Sequence, residues 1–255
     1  MANTRNILIT SVIAILVSSF ILALGPIPQD PAYHTFADTR TLYGVPNFWN
    51  VISNLPILVC GLIGLVLTAT RKYSGGLPSL HSAYVMFFAG AVLIGLGSSW
   101  YHLHPDNNTL VWDRLPMTLT FMALFSAILG ENLSVRAGTM LLWPLLVAGI
   151  AAVFYWHATE LEGHGDLRPY ALIQFLPVVL IPVIMVLFKS PFRSNRILLW
   201  MLMAYALAKI AEMYDGEIYQ LLNFMGGHAL KHLFSALGVY CYYLALRYRE
   251  FISPA

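Results

Sequence analysis

Five side chains have the types and spacings of a hydrolytic metal site. Ser98, His102 and Asp113 lie in the stretch GSSWYHLHPDNNTLVWDRLPM, residues 97–117, and His228 and His232 lie in GHALKHL, residues 227–233. Ser98 and His102 are four residues apart, as are His228 and His232, so each pair shares one face of a helix. Two histidines at i and i+4 can grip one metal ion. A third from another helix completes a three-imidazole set with a fourth position open to water, the pattern of catalytic rather than structural zinc. Zinc lowers the pKa of a bound water to about 7. A plainer reading stands beside this one: a His-x3-His pair near a helix end arises readily by chance, and such histidines can simply hydrogen-bond. His104 competes with His102, but it lies about 200° further around a helix and precedes Pro105, which places it in a loop.

The chain that must position these groups is built for a bilayer. Of its 255 residues 58% are hydrophobic and only 10% charged, with a mean hydropathy of +0.70; soluble domains are about a quarter charged. Eight apolar runs, at 7–25, 51–70, 82–101, 115–130, 137–156, 170–188, 197–214 and 226–246, approach the roughly 20 residues of a spanning helix. The expected fold class is therefore all-α, a polytopic membrane helix bundle of eight spans with short, turn-rich connections. Residues 1–25 read as an N-terminal transmembrane helix; they also fit a signal peptide, although the apolar core is longer than usual for one. Residues 26–50 read as an extracytoplasmic loop and 51–250 as the remaining seven helices.

A net charge of +2, with 14 basic residues scattered singly or in pairs, leaves no footprint for nucleic acid. Cys60 and Cys241 lie inside apolar segments and read as buried hydrophobes. With a cytoplasmic amino terminus, that side holds Arg5, Arg71, Lys72, Arg136, Lys189, Arg193, Arg196, Arg247 and Arg249, against Arg40, Arg114 and Arg168 opposite. The bias puts both termini in the cytoplasm and the polar cluster on the outer side.

The other polar groups have structural readings. Lys209 and Glu212 are spaced for an i, i+3 ion pair, with Glu212 or Asp215 accepting an imidazole N–H as the alternative. Lys231, next to His232, is expected to point away from the metal. Asn50, Ser53 and Asn54 are expected to hydrogen-bond between helices. Glu160, Glu162, His164 and Asp166 read as a solvated outer loop. Trp49, Trp100, Tyr101, Trp112, Tyr155 and Trp156 read as an interfacial aromatic belt.

The order Ser98-x3-His102, Asp113-Arg-Leu-Pro-Met, His228-x3-His232, with Asn47-Phe-Trp-Asn-Val-Ile-Ser-Asn54 upstream, resembles the alkaline ceramidase family. That family belongs to a superfamily of seven-helix membrane hydrolases that includes the adiponectin and progestin receptors. The resemblance runs from about Asp38 to Leu246 and implies a seven-helix hydrolase core, residues 51–250, behind an extra N-terminal helix. It implies zinc bound by His102, His228 and His232, with Ser98 holding the substrate carbonyl and Asp113 moving protons. The reaction implied is hydrolysis of the N-acyl bond of a ceramide-like lipid drawn from the bilayer. A receptor-like lipid-binding protein and a lipid esterase using the same metal are the alternatives. A Ser-His-Asp triad is disfavoured, because a zinc-bound His102 cannot take the serine proton. Similarity to bacterial members implies the inner membrane, with the site facing the periplasm. One departure stands out: where animal members carry the last glutamate of a calcium-like site, this chain has Asn47, and no calcium binding is expected.

Overall fold

A computed structural model describes residues 3–193 and 195–252 of the chain. Its helices are α1 (Thr4–Ala23), α2 (Phe48–Ile52), α3 (Leu55–Ala69), α4 (His81–Leu103), α5 (Asn107–Asn132), α6 (Val135–Leu161), α7 (Arg168–Leu187), α8 (Arg196–Met213), α9 (Asp215–Leu222) and α10 (Gly227–Tyr248). Among the described residues there are no strands, only two isolated bridges. Six helical segments here are long and apolar enough to cross a membrane, or up to seven if α8 and α9, bent by 83° between them, form one span. The eighth expected span belongs to α5, which is not in that set. It carries Asp113, Arg114, Glu131 and Asn132, all buried against neighbouring helices rather than facing lipid.

The outer faces carry large apolar side chains, among them Val66, Val147, Val186 and Trp200, each more than 60% exposed. Such a surface is stable only against hydrocarbon. Packed neighbours run α8, α10, α3, α4, α5 and α7, with α6 against α5 and α7 and α1 laid on α7. Between α7 and α8 the ring is bridged by Gln174 Nε2 donating to the Tyr205 hydroxyl at 3.4 Å rather than closed by packing.

The α4–α5 pair sets the geometry that matters. A capping box starts α5: Asp106 accepts from Thr109 N at 2.7 Å and its own N–H donates to the Thr109 hydroxyl at 3.1 Å. Pro116 cannot donate to Trp112 four residues back, which frees that carbonyl. Gly97 of α4 packs directly on it; a Cβ at Gly97 would lie 2.0 Å from the Trp112 oxygen. The proline and the glycine together bring Ser98 level with Asp113.

At the other end of the bundle Glu131 and Arg249 form a buried bidentate pair, with bonds of 2.8 and 2.9 Å. Arg249 also donates to Gly75 O at 2.7 Å, and Tyr84 donates to Glu131 at 3.0 Å. This arginine, expected among loop cations, instead ties the segment after α10 to the end of α5.

Candidate metal centre

His102 ends α4, and His228 and His232 open α10. All three are buried, and their ligand-capable atoms lie within 4.8 Å of one another. The ring centroids of His102 are 4.9 Å from both partners, and those of His228 and His232 are 5.2 Å apart. Both His102 nitrogens are buried without a hydrogen-bond partner. A fully buried imidazole with neither nitrogen satisfied carries a desolvation penalty that a bound cation would relieve. The donor set of three neutral imidazoles suits zinc or another borderline divalent ion.

The surroundings orient these rings. Ser53 Oγ lies 2.8 Å from His232 Nδ1 and 3.4 Å from the Asn50 carbonyl. The serine has one proton and the carbonyl can only accept, so Ser53 donates to Asn50 and accepts from the imidazole N–H. That relay leaves His232 Nε2 as the free ligand atom. Asp215 accepts from the backbone N–H of His228 at 2.8 Å and of Ala37 at 2.9 Å. Asp215 thus anchors the start of α10 through its backbone, and neither it nor Glu212 accepts from an imidazole. Asn47, in the left-handed conformation (φ 46°) that asparagine tolerates, donates to the His102 carbonyl at 2.9 Å.

The expectation for Lys231 is corrected. Its Nζ reaches His228 Nε2 at 2.9 Å and Glu212 at 3.0 Å, and Glu212 also pairs with Lys209 as its spacing predicts. His228 and Lys231 are three apart and share a face of α10, and the long lysine stem curls back over the ring.

The segment between α1 and α2 packs against the histidines. Phe36 packs its ring 4.8 Å from both His102 and His228, and Asn50 donates to the Asp38 carbonyl at 3.1 Å. Burial raises the Asp38 carboxyl, but hydrogen bonds from Arg40 outweigh it and hold the group below the usual carboxylate range. A cavity of about 420 Å³ adjoins His232. Ser98, Asp113, Arg114, Lys231 and His232 line its polar end, and Phe87, Leu124, Ile181, Met201 and Val239 its apolar depth. Ser98 is the side-chain neighbour of the Asp113 carboxyl. His104 is exposed at the α4 terminus, as expected.

Three readings of this end of the bundle change. Tyr101 and Trp156 are 1% and 0% exposed and belong to the core rather than an interfacial belt, because each faces the segment that covers the site. Asp166 is buried and held by Arg168 at 2.7 Å, whereas Glu162 and His164 are exposed and pair with each other. Arg114 is not a loop cation but a buried residue of α5. The signal for Ser53 was its position in the Asn-Phe-Trp-Asn run; nothing local identified His232 as its partner.

A family model described as Ceramidase matches residues 40–253. No curated protein matches the chain.

Proposed function

The chain belongs to the ceramidase family, and on that premise we propose that it is a zinc-dependent membrane amidase cleaving the N-acyl bond of a ceramide-like lipid. The observation that carries the reading is the buried trio of His102, His228 and His232, with His102 unsatisfied at both nitrogens. A zinc ion held by His102, His228 and His232 would supply Lewis acidity toward a carbonyl and make a water more acidic. Asp113 takes the proton of the attacking water and returns it to the amine nitrogen as the C–N bond breaks, giving a fatty acid and a free amine. Ser98 donates a hydrogen bond to the carbonyl oxygen as negative charge develops on it.

The cavity suits a lipid: its depth is apolar, and the incompletely packed α7–α8 flank gives acyl chains a lateral path from the bilayer. Phe36 and its segment cover the aqueous end and keep bulk water from the reaction. The distribution of Lys and Arg favours both termini in the cytoplasm and this end of the bundle outside.

The test is metal content of detergent-purified protein, comparing wild type with His228→Ala, together with fatty-acid release from N-acyl lipids. One zinc per chain, lost in the variant along with release, is the expected result. Zinc without release from any amide or ester would favour a binding protein, and release from esters alone would make the chain an esterase. A folded wild type without metal would refute the centre itself.

A further inference from the structure

Arg114 is a charged group of the cavity that neither the metal site nor the proton chemistry uses, and whereas Lys209 and Lys231 pair with Glu212, it has no such partner among the described residues. It is 5% exposed, yet no carboxylate pairs with it among the described residues. Its Nη2 donates to the neutral amide oxygen of Gln29 at 2.6 Å, and its Nη1 is buried with no partner. Its guanidinium carbon lies 4.1 Å from the Trp156 ring centroid, 4.8 Å from that of Tyr170 and 5.5 Å from that of Tyr33. These rings hold its plane, and Arg114 lines the cavity beside Asp113. The same cavity is lined by three cationic side chains, Arg114, Lys209 and Lys231, and by two carboxylates, Asp113 and Glu212. One positive charge is in excess before any metal adds two more. An unpaired buried cation in a net-positive, water-poor cavity is costly unless an anion completes it, and the arginine fork matches oxyanions of carboxylate, phosphate or sulfonate type.

We propose that Arg114 is a headgroup-recognition residue and that the preferred substrate is an N-acyl lipid bearing an acidic group close to the scissile amide. The inference rests on the amidase reading for the bond cleaved, but not for the binding of the anion. Arg114 and Asp113 line the same cavity, so the acidic group sits on the amine side, within reach of the group that moves the proton.

The experiment uses the full-length protein in detergent with four palmitoyl amides: neutral N-palmitoylsphingosine, its 1-phosphate, N-palmitoylglycine and N-palmitoyltaurine. Both palmitate release and equilibrium binding are read. At least one acidic amide is expected to exceed the neutral one by about tenfold or more in kcat/KM and in affinity, the range of a charge-assisted hydrogen bond. The arm that leads identifies the acid as phosphate, carboxylate or sulfonate. Arg114→Gln should collapse that ratio, and Arg114→Lys should restore part of it. Equal or better handling of the neutral amide by wild type, with a ratio unchanged in Arg114→Gln, overturns the proposal and leaves the amidase reading standing. Anion-dependent binding without release from any amide does the reverse. Should Arg114→Gln fail to fold, the wild-type preference between acidic and neutral amides decides by itself.

Discussion

Replacing Ser53 by alanine tests whether the metal centre is held from behind as the geometry indicates. Ser53 is 4% exposed and touches no substrate-facing surface of the cavity; its role runs through the 2.8 Å contact with His232 Nδ1. Without the hydroxyl, the buried N–H at Nδ1 loses its acceptor, or the ring shifts to the tautomer that places the proton on the ligating nitrogen. An unsatisfied buried donor costs about 1–3 kcal/mol, and loss of an orienting partner behind a metal ligand typically lowers affinity about 10–100-fold. The two ranges agree, since tenfold corresponds to about 1.4 kcal/mol. The assay is competition of purified protein with a chromophoric chelator for zinc. Ser53→Ala should bind about 10–100-fold more weakly, and Ser53→Thr, which keeps the hydroxyl, should recover most of the loss. Wild-type zinc affinity in Ser53→Ala would refute the relay from His232 through Ser53 to Asn50.

Gly97→Ala places a methyl against the Trp112 carbonyl, where a Cβ would lie 2.0 Å from the oxygen. It should cost about 1–3 kcal/mol in unfolding experiments and lower kcat by up to about 100-fold by moving Ser98 off Asp113. Removing one member of the buried pair, as in Glu131→Gln or Arg249→Met, should destabilise by about 3–5 kcal/mol. The double apolar variant Glu131→Leu with Arg249→Met should recover part of that loss in the same assay. Arg168 holds the Asp166 carboxyl down to about 2. Because the folded value lies below the unfolded value of about 3.9, the stabilisation is present above pH 4 and disappears as pH falls toward 2. Asp166→Asn should flatten the acid limb of a stability-against-pH curve in that window.

The long apolar spans were legible because hydropathy and length alone dictate them, and the His-x3-His pair because helical spacing puts both rings on one face. What stayed hidden depended on partners distant in the chain. Arg114 and Arg249 read as loop cations by position, whereas their burial depends on Trp156 and Glu131, more than 40 residues away in the sequence. Cβ directions alone point Lys231 away from the site, a course that its four-carbon stem need not follow. Asp166 and Trp156 read as solvent and interface residues because no local sign in the sequence shows that residues 24–47 fold back over this end.

The lock between Glu131 and Arg249 also imposes an order on biogenesis. Its two halves are 118 residues apart, so α5 is complete on the ribosome while most of the later chain, with the cation that neutralises it, has yet to be synthesised. Until that last stretch emerges, Glu131 has no cation to pair with. The bundle can therefore reach its final packing at this end only after the whole of α10 has been delivered. Any chain interrupted before Arg249 would carry an uncompensated acid in its interior, a mark by which membrane quality control could tell an unfinished molecule from a finished one.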